Sequence, residues 1–88
     1  MSKDKEDVKA LYDLLAVITD SNQIELLFND LCTYKEIDSM AQRIKAAKML
    51  MAGKTYDDII KETNISSATL SRVSKCVKYG NGYKNLLK

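Results

Sequence analysis

The chain has 88 residues, of which 45% are hydrophobic and 30% are charged, and its formal net charge is +2. This length predicts a single domain, and because so short a chain buries only about 60–65% of its unfolded surface, a lone monomer would be marginal and oligomerisation is one remedy. No apolar run approaches the ~18 residues of a membrane span, and the absence of histidine removes the usual ligands of a zinc site.

Cysteine usage and the first residues indicate a cytoplasmic protein. Cys32 and Cys76 are isolated and form no CxxC pair, which is typical of reduced thiols. The opening MSKDKEDVK has no apolar run behind a basic start, so we expect no secretory signal. We also expect no metal or other cofactor.

The charges are unevenly distributed along the chain. Residues 1–42 carry four basic and nine acidic side chains, whereas residues 43–88 carry ten basic and three acidic ones. An acidic half and a basic half predict that the basic end meets an anion. Two solvated faces without a partner would give the same distribution.

Apolar residues recurring at three- and four-residue steps predict five helices, over about 5–18, 21–32, 34–52, 56–63 and 67–79, followed by a C-terminal tail at 80–88. TDSN at 19–22 separates the first two helices, and Thr33 with Glu36 forms a capping box before the third. Gly53 is suited to a left-handed cap at the end of that helix. The predicted fold class is all-α.

The first three helices have wide apolar faces. The third is predicted to bury the stripe Ile37, Met40, Ala41, Ile44, Ala47, Leu50 and Met51. Leu26 and Met49 are apolar but lie outside the main apolar faces of their helices. The helices therefore carry more apolar surface than one small core would bury. We therefore expect a homodimer, although a few exposed apolar residues would also be normal.

Residues 56–79 have the layout of a helix-turn-helix, with a short helix, a three-residue turn and a longer helix. Thr55 is the predicted cap of the first helix, and Asn64 tolerates the left-handed backbone that such a turn often needs. The inward positions are predicted to be Ile59, Ile65, Leu70, Val73 and Val77.

The outward positions of this segment are candidates for DNA contact. Small hydroxyl side chains let a helix approach base edges closely, and Arg or Lys can reach guanine or phosphate. The free backbone N–H groups at the start of the second helix suit a phosphate. The candidates are Thr55, Lys61, Ser66, Ser67, Ala68, Thr69, Ser71, Arg72 and Lys75. An ordinary polar face on a packed helical hairpin is the competing interpretation.

Residues 26–77 resemble the Trp repressor family, and most closely its YerC/YecD branch, whose pattern includes DLCT, a central AxR, SxATxSR and a closing YGxGY. The resemblance implies an all-α, TrpR-like, intertwined homodimer that acts as a transcriptional repressor. It also implies a palindromic double-stranded DNA operator, with the two fifth helices in major grooves ~34 Å apart.

The resemblance further implies a ligand pocket. By position, Arg43 and Arg72 match two arginines that sandwich bound tryptophan, and Thr33 matches a threonine that helps to hold it. Cys76 stands where the family has a serine, and Val73 stands where the pocket requires a glycine. Because a side chain added to a close-packed interior costs about 1–3 kcal/mol or excludes the ligand, we expect tryptophan not to be the corepressor. Any other small-molecule effector is unknown.

The sequence therefore predicts a sequence-specific DNA-binding regulator. The alternative is a dimeric helical protein-interaction module whose basic half binds an acidic partner and never touches DNA. Nothing in the chain assembles an acid, a base and a nucleophile, so we do not expect an enzyme.

Overall fold

The computed structural model of the chain describes residues 2–87. All the secondary structure in this range is α-helical, which confirms the predicted fold class. The helices are α1 (Ser2–Val17), α2 (Ser21–Leu31), α3 (Tyr34–Met51), α4 (Tyr56–Thr63), α5 (Ser67–Tyr79) and α6 (Gly82–Leu86). The chain divides into two units, the first ending at Tyr34 and the second beginning at Lys35.

The first unit contains α1 and α2 and has no hydrophobic core of its own. Asp20 caps α2, because its carboxylate accepts a hydrogen bond of 3.0 Å from the backbone N–H of Asn22. Every side chain described in residues 4–34 is exposed or half-buried, including apolar ones such as Val17 and Leu26, which are 74% and 68% exposed. The apolar faces of these helices are therefore left uncovered within the unit.

The second unit contains the core of the described chain. The buried hydrophobic residues are Ala46, Ala47, Ile59, Ile65, Leu70 and Val73. Two of them are alanines on α3, and such small side chains let neighbouring helices approach closely. The core thus joins α3 to both α4 and α5.

The predicted inner face of α3 is wrong at several positions. Ala47 is buried as expected, but Met40, Ala41, Ile44 and Met51 are exposed in the single chain, and Ile37 and Leu50 are only half-buried. Ala46, which the predicted stripe omitted, is fully buried. The error arises because apolar residues surround much of α3, so periodicity alone does not show which side meets α4 and α5.

Residues with turn-forming and capping preferences determine the backbone conformation around α4, including its connection to α3. Gly53 has φ of +85°, which confirms the predicted left-handed residue. Thr55 caps α4 as predicted, since its hydroxyl accepts a hydrogen bond of 3.2 Å from the backbone N–H of Asp58. Asn64, at the end of α4, has φ of 63°, in the left-handed region that asparagine tolerates.

The buried hydroxyl of Thr63 forms hydrogen bonds that stabilise the C-terminus of α4. The Thr63 hydroxyl donates to the Ile59 carbonyl at 2.7 Å and accepts from the Ile65 N–H at 3.2 Å. The Gln42 side chain donates to the Thr63 carbonyl at 2.8 Å. These bonds satisfy polar groups that burial would otherwise leave unpaired, and they tie α4 to α3.

The segment 80–88, predicted to be a tail, contains α6. Tyr83 and Leu87 pack against the core, and this apolar contact favours a helix where the two glycines of YGNGY indicated only an end. Gly80 caps α5 in a tight last turn, because a Cβ built on it would lie 2.7 Å from the Cys76 carbonyl oxygen. A Cβ on Gly82 would meet nothing within 4 Å.

Gly80 is therefore expected to be far less replaceable than Gly82. Gly80→Ala forces the backbone around Cys76 to shift, and we expect it to lower the free energy of unfolding by about 1–3 kcal/mol, as overpacking typically does. Gly82→Ala is the matched control and is expected to be neutral or slightly stabilising, since alanine is the better helix former. Urea unfolding followed by circular dichroism at one fixed protein concentration measures both. Equal destabilisation by the two variants would contradict the assigned contact.

Candidate nucleic-acid interface

The segment formed by α4, the turn at 64–66 and α5 is held by its inner side chains. Ile59 and Leu70 are fully buried, and Ile65 and Val73 are 3% and 2% exposed, as predicted for these positions. Val77, the last predicted inner residue, is half-buried against the same core. Burial of these side chains fixes which face of α5 remains available to a partner.

The start of α5 is capped by Ser66. Its hydroxyl oxygen accepts a hydrogen bond of 3.1 Å from the backbone N–H of Thr69, with Ser66 itself in the extended backbone conformation of an N-cap. The same hydroxyl lies 2.9 Å from the Thr69 hydroxyl oxygen. Ser67 and Ala68 are exposed and the first turn contains no acidic residue, so the positive end of the helix dipole is open to an anion.

The outer face of α5 is polar and basic. Its exposed candidates are Ser66, Ser67, Ala68, Ser71, Arg72 and Lys75, and Thr69 is half-buried. No residue between Ser67 and Tyr79 is acidic. Since no ion pair or hydrogen bond is seen for the side chains of Arg72 and Lys75 within residues 2–87, both cations are available to an external anion.

The candidate DNA-contact residues of α4 are surrounded by both acidic and basic side chains. The Thr55 hydroxyl is engaged as the helix cap, and Asp57 and Asp58 occupy the first turn of α4. Lys61 is exposed and lines a hollow of about 420 Å³ together with Asp58, Glu62, Lys54 and Met49. The acids reduce the positive potential on this side, so α5 provides the more favourable surface for a polyanion.

The ligand-pocket candidates have different surroundings. Arg43 and Arg72 are exposed, whereas Val73 is part of the hydrophobic core. Cys76 is exposed and lines a separate apolar hollow, and Thr33 belongs to the first unit. The Val73 side chain therefore occupies packed space beside Arg72.

The apolar hollow measures about 470 Å³ and is lined by Ile44, Cys76, Gly80, Gly82, Tyr83, Leu86 and Leu87. This hollow was not predicted from the sequence, because residues 80–88 were expected to form a tail. Tyr83, Leu86 and Leu87 have the three- and four-residue spacing of a helical apolar face, which was the available signal.

Two other features, a metal-binding cluster and a membrane-spanning helix, are not found among the described residues. Among residues 2–87, no group of three or more His, Cys, Asp or Glu residues is placed to hold a metal ion. Within the same range, no helix combines the length and the apolar character needed to cross a membrane.

The chain is similar to known proteins over most of its length. The sequence profile of the Trp repressor protein family matches residues 6–88. The uncharacterized protein YerC of Bacillus subtilis (strain 168) is 42% identical over 76 residues, which cover 86% of this chain and 73% of YerC.

Two crystal structures share the fold. A TrpR-like protein from Eubacterium eligens is 39% identical with a TM-score of 0.88, and the match covers 92% of this chain and 84% of that one. A structure described as a candidate Trp repressor from Staphylococcus aureus is 36% identical with a TM-score of 0.89, covering 93% of this chain and 83% of that one.

Proposed function

The chain belongs to the Trp repressor family, in its YerC-like branch, and on that premise we propose that it is a dimeric, sequence-specific DNA-binding regulator that represses transcription. The family is one of regulators rather than enzymes. The observation that carries the proposal is the outer face of α5, where small hydroxyl side chains accompany Arg72 and Lys75 without any acid. Such a regulator acts where the operator DNA lies, which for a bacterial repressor is the cytoplasm.

In this proposal α4 and α5 form a helix-turn-helix, and α5 enters the major groove. The groove is wide enough for one helix, and short side chains at Ser67, Ala68 and Ser71 let the backbone come close to the base edges. Arg72 and Lys75 neutralise phosphate charge or reach guanine, and the open N-terminus of α5 suits a phosphate. Lys61 and Thr55 flank this surface from α4.

A homodimer is supported by the uncovered apolar surface. The first unit exposes Val17 and Leu26, and α3 exposes Met40, Ile44 and Met51. A second copy that covers these faces removes apolar area from water at roughly 25 cal/mol per Å². Twofold symmetry then presents two copies of α5 to a palindromic operator, with half-sites about one helical turn apart.

The position of Val73 supports repression without tryptophan. Its side chain is 2% exposed and packs within the cluster that contains Leu70 and Ile59. Protein interiors are close-packed, so an indole ring has no room there unless the core opens. In this proposal the protein side chain supplies the packing that would otherwise require a ligand beside Arg72.

The first prediction from this proposal concerns the bound DNA. Selection of duplexes from a random pool is expected to return an inverted repeat, and footprinting is expected to show two protected half-sites about 10 base pairs apart. A single unrepeated half-site would contradict the dimeric arrangement. Retention on no duplex, even at low salt, would favour the alternative of an interaction module that binds an acidic protein.

The same complexes test the role of Arg72. Arg72→Ala is expected to weaken binding and to reduce the slope of log affinity against log salt by about 1, because one phosphate contact is lost. Lys9→Ala is a matched control, since it also removes one positive charge but from a side chain that is paired to Asp13 at 3.1 Å in α1. Equal losses in both variants would mean that net charge, and not the α5 surface, governs binding.

Tryptophan is expected to leave the protein unaffected. Calorimetric titration with L-tryptophan should show no micromolar binding, and affinity for the selected duplex should not change when tryptophan is added, because Val73 occupies the space. Micromolar binding, or a duplex affinity that rises with tryptophan, would show that the core opens for the ligand.

A further inference from the structure

The YGNGY segment at the end of α5 contains two tyrosines with different surroundings. Tyr83, on α6, packs against the hydrophobic core. Tyr79, the last residue of α5, is 80% exposed, and its hydroxyl makes no hydrogen bond to any of the residues that the structure describes. Core packing therefore accounts for Tyr83 but not for Tyr79.

Tyr79 lies on the same face of α5 as the two cations Arg72 and Lys75. Residues separated by four or by seven positions share a face of an α-helix, and Tyr79 follows Lys75 and Arg72 by these intervals. All three side chains are exposed, whereas Leu70 and Val73 are buried on the other side of the helix. Single exposed aromatic residues are common on proteins, but this one continues a basic face to the end of its helix.

The charges around Tyr79 favour a negatively charged partner. No acidic residue follows Glu62 in the chain, and Lys78, the neighbour of Tyr79 in sequence, is exposed. A tyrosine hydroxyl is an uncharged hydrogen-bond donor, and tyrosine is among the side chains that donate to phosphate oxygens in protein–DNA complexes. The face thus combines positive charge with a neutral donor, and both are suited to a polyanion.

The length of α5 indicates which atoms of a duplex Tyr79 would meet. The helix has 13 residues and is therefore about 20 Å long, whereas the major groove is about 12 Å wide. The recognition helix of a helix-turn-helix contacts base edges with its N-terminal residues. Its C-terminal end consequently lies beyond the base edges, at the level of the sugar-phosphate backbone.

We propose that the Tyr79 hydroxyl donates a hydrogen bond to a phosphate oxygen at the edge of each operator half-site. The inference rests on the proposed function, because it requires α5 to lie in a major groove. Since the phenol is neutral, this contact adds affinity without the release of a counterion. A phosphate contact fixes the orientation of the helix on the duplex and has no base preference of its own.

The test compares three variants on the duplex selected by the wild-type chain, over a range of salt concentrations. Tyr79→Phe removes the hydroxyl and keeps the ring, and Tyr79→Ala removes both. Tyr12→Phe is the matched control, because it removes a hydroxyl from a tyrosine that is 64% exposed on α1, where no DNA contact is proposed. Circular dichroism and sedimentation at one protein concentration check that helix content and dimerisation are retained.

We expect Tyr79→Phe to lose about two- to ten-fold in affinity for each hydrogen bond removed, and a dimer loses two. Tyr79→Ala should lose about as much, because the hydroxyl makes the contact. The slope of log affinity against log salt should keep its wild-type value, unlike that of Arg72→Ala, because no charge is removed. The loss should be the same factor on duplexes of changed base sequence, and Tyr12→Phe should bind like the wild type.

Several results would overturn the inference. Wild-type affinity of Tyr79→Phe would do so outright, a loss seen only in Tyr79→Ala would assign the contact to the ring, and a loss confined to one base pair would assign it to a base edge. A reduced salt slope would mean that Tyr79 only helps to place the cations of α5. Dissociation of the dimer in the Tyr79 variants would place this residue in the interface between copies. A wild-type chain that binds no duplex would instead refute the proposed function, and this inference with it.

Discussion

Burial of the inner face of α5 against α3 is the constraint on which the candidate interface depends. Leu70 and Val73 share one core with Ala46, Ala47 and Ile59, and these five side chains are between 0% and 2% exposed. With that face fixed, Ser67, Ser71, Arg72 and Lys75 lie on the solvent-exposed side of α5. Close packing of this kind holds a helix in one position, and the side chains proposed to contact DNA are positioned only as well as the helix that carries them.

The same constraint explains how a Trp repressor fold can dispense with tryptophan in the proposed function. A ligand that binds between a recognition helix and the core stabilises only those states in which that helix is correctly placed. Val73 makes the equivalent contact within the chain itself, so placement of α5 does not depend on ligand concentration. In that proposal, regulation acts elsewhere, and the proposed partner of the uncovered apolar surfaces of the first unit and of α3 is a second copy of the chain.

Local sequence signals made the segment 55–79 predictable, whereas the rest depended on long-range packing. The roles of Thr55 and Asn64 follow from caps and turns that involve neighbouring residues, and the inner positions of α5 follow from one clear stripe. By contrast, α3 is apolar on several sides, so its buried face depends on where α4 and α5 lie. The helix α6 packs Tyr83 and Leu87 against the core. The glycines of YGNGY indicated only a helix end, and the helical spacing of Tyr83, Leu86 and Leu87 was the signal that was not used.

Hydrogen exchange of the ligand-free protein tests most directly whether the core alone holds α5. The amides of α5 that follow its first turn are expected to exchange as slowly as those in the middle of α3, because Leu70 and Val73 bury both helices in one core. The measurement is made without tryptophan or DNA, and the amides of α6 provide an internal reference for a short peripheral helix. Exchange of the α5 amides as fast as that of α6, with α3 still protected, would show that a ligand or DNA is needed to order the recognition surface.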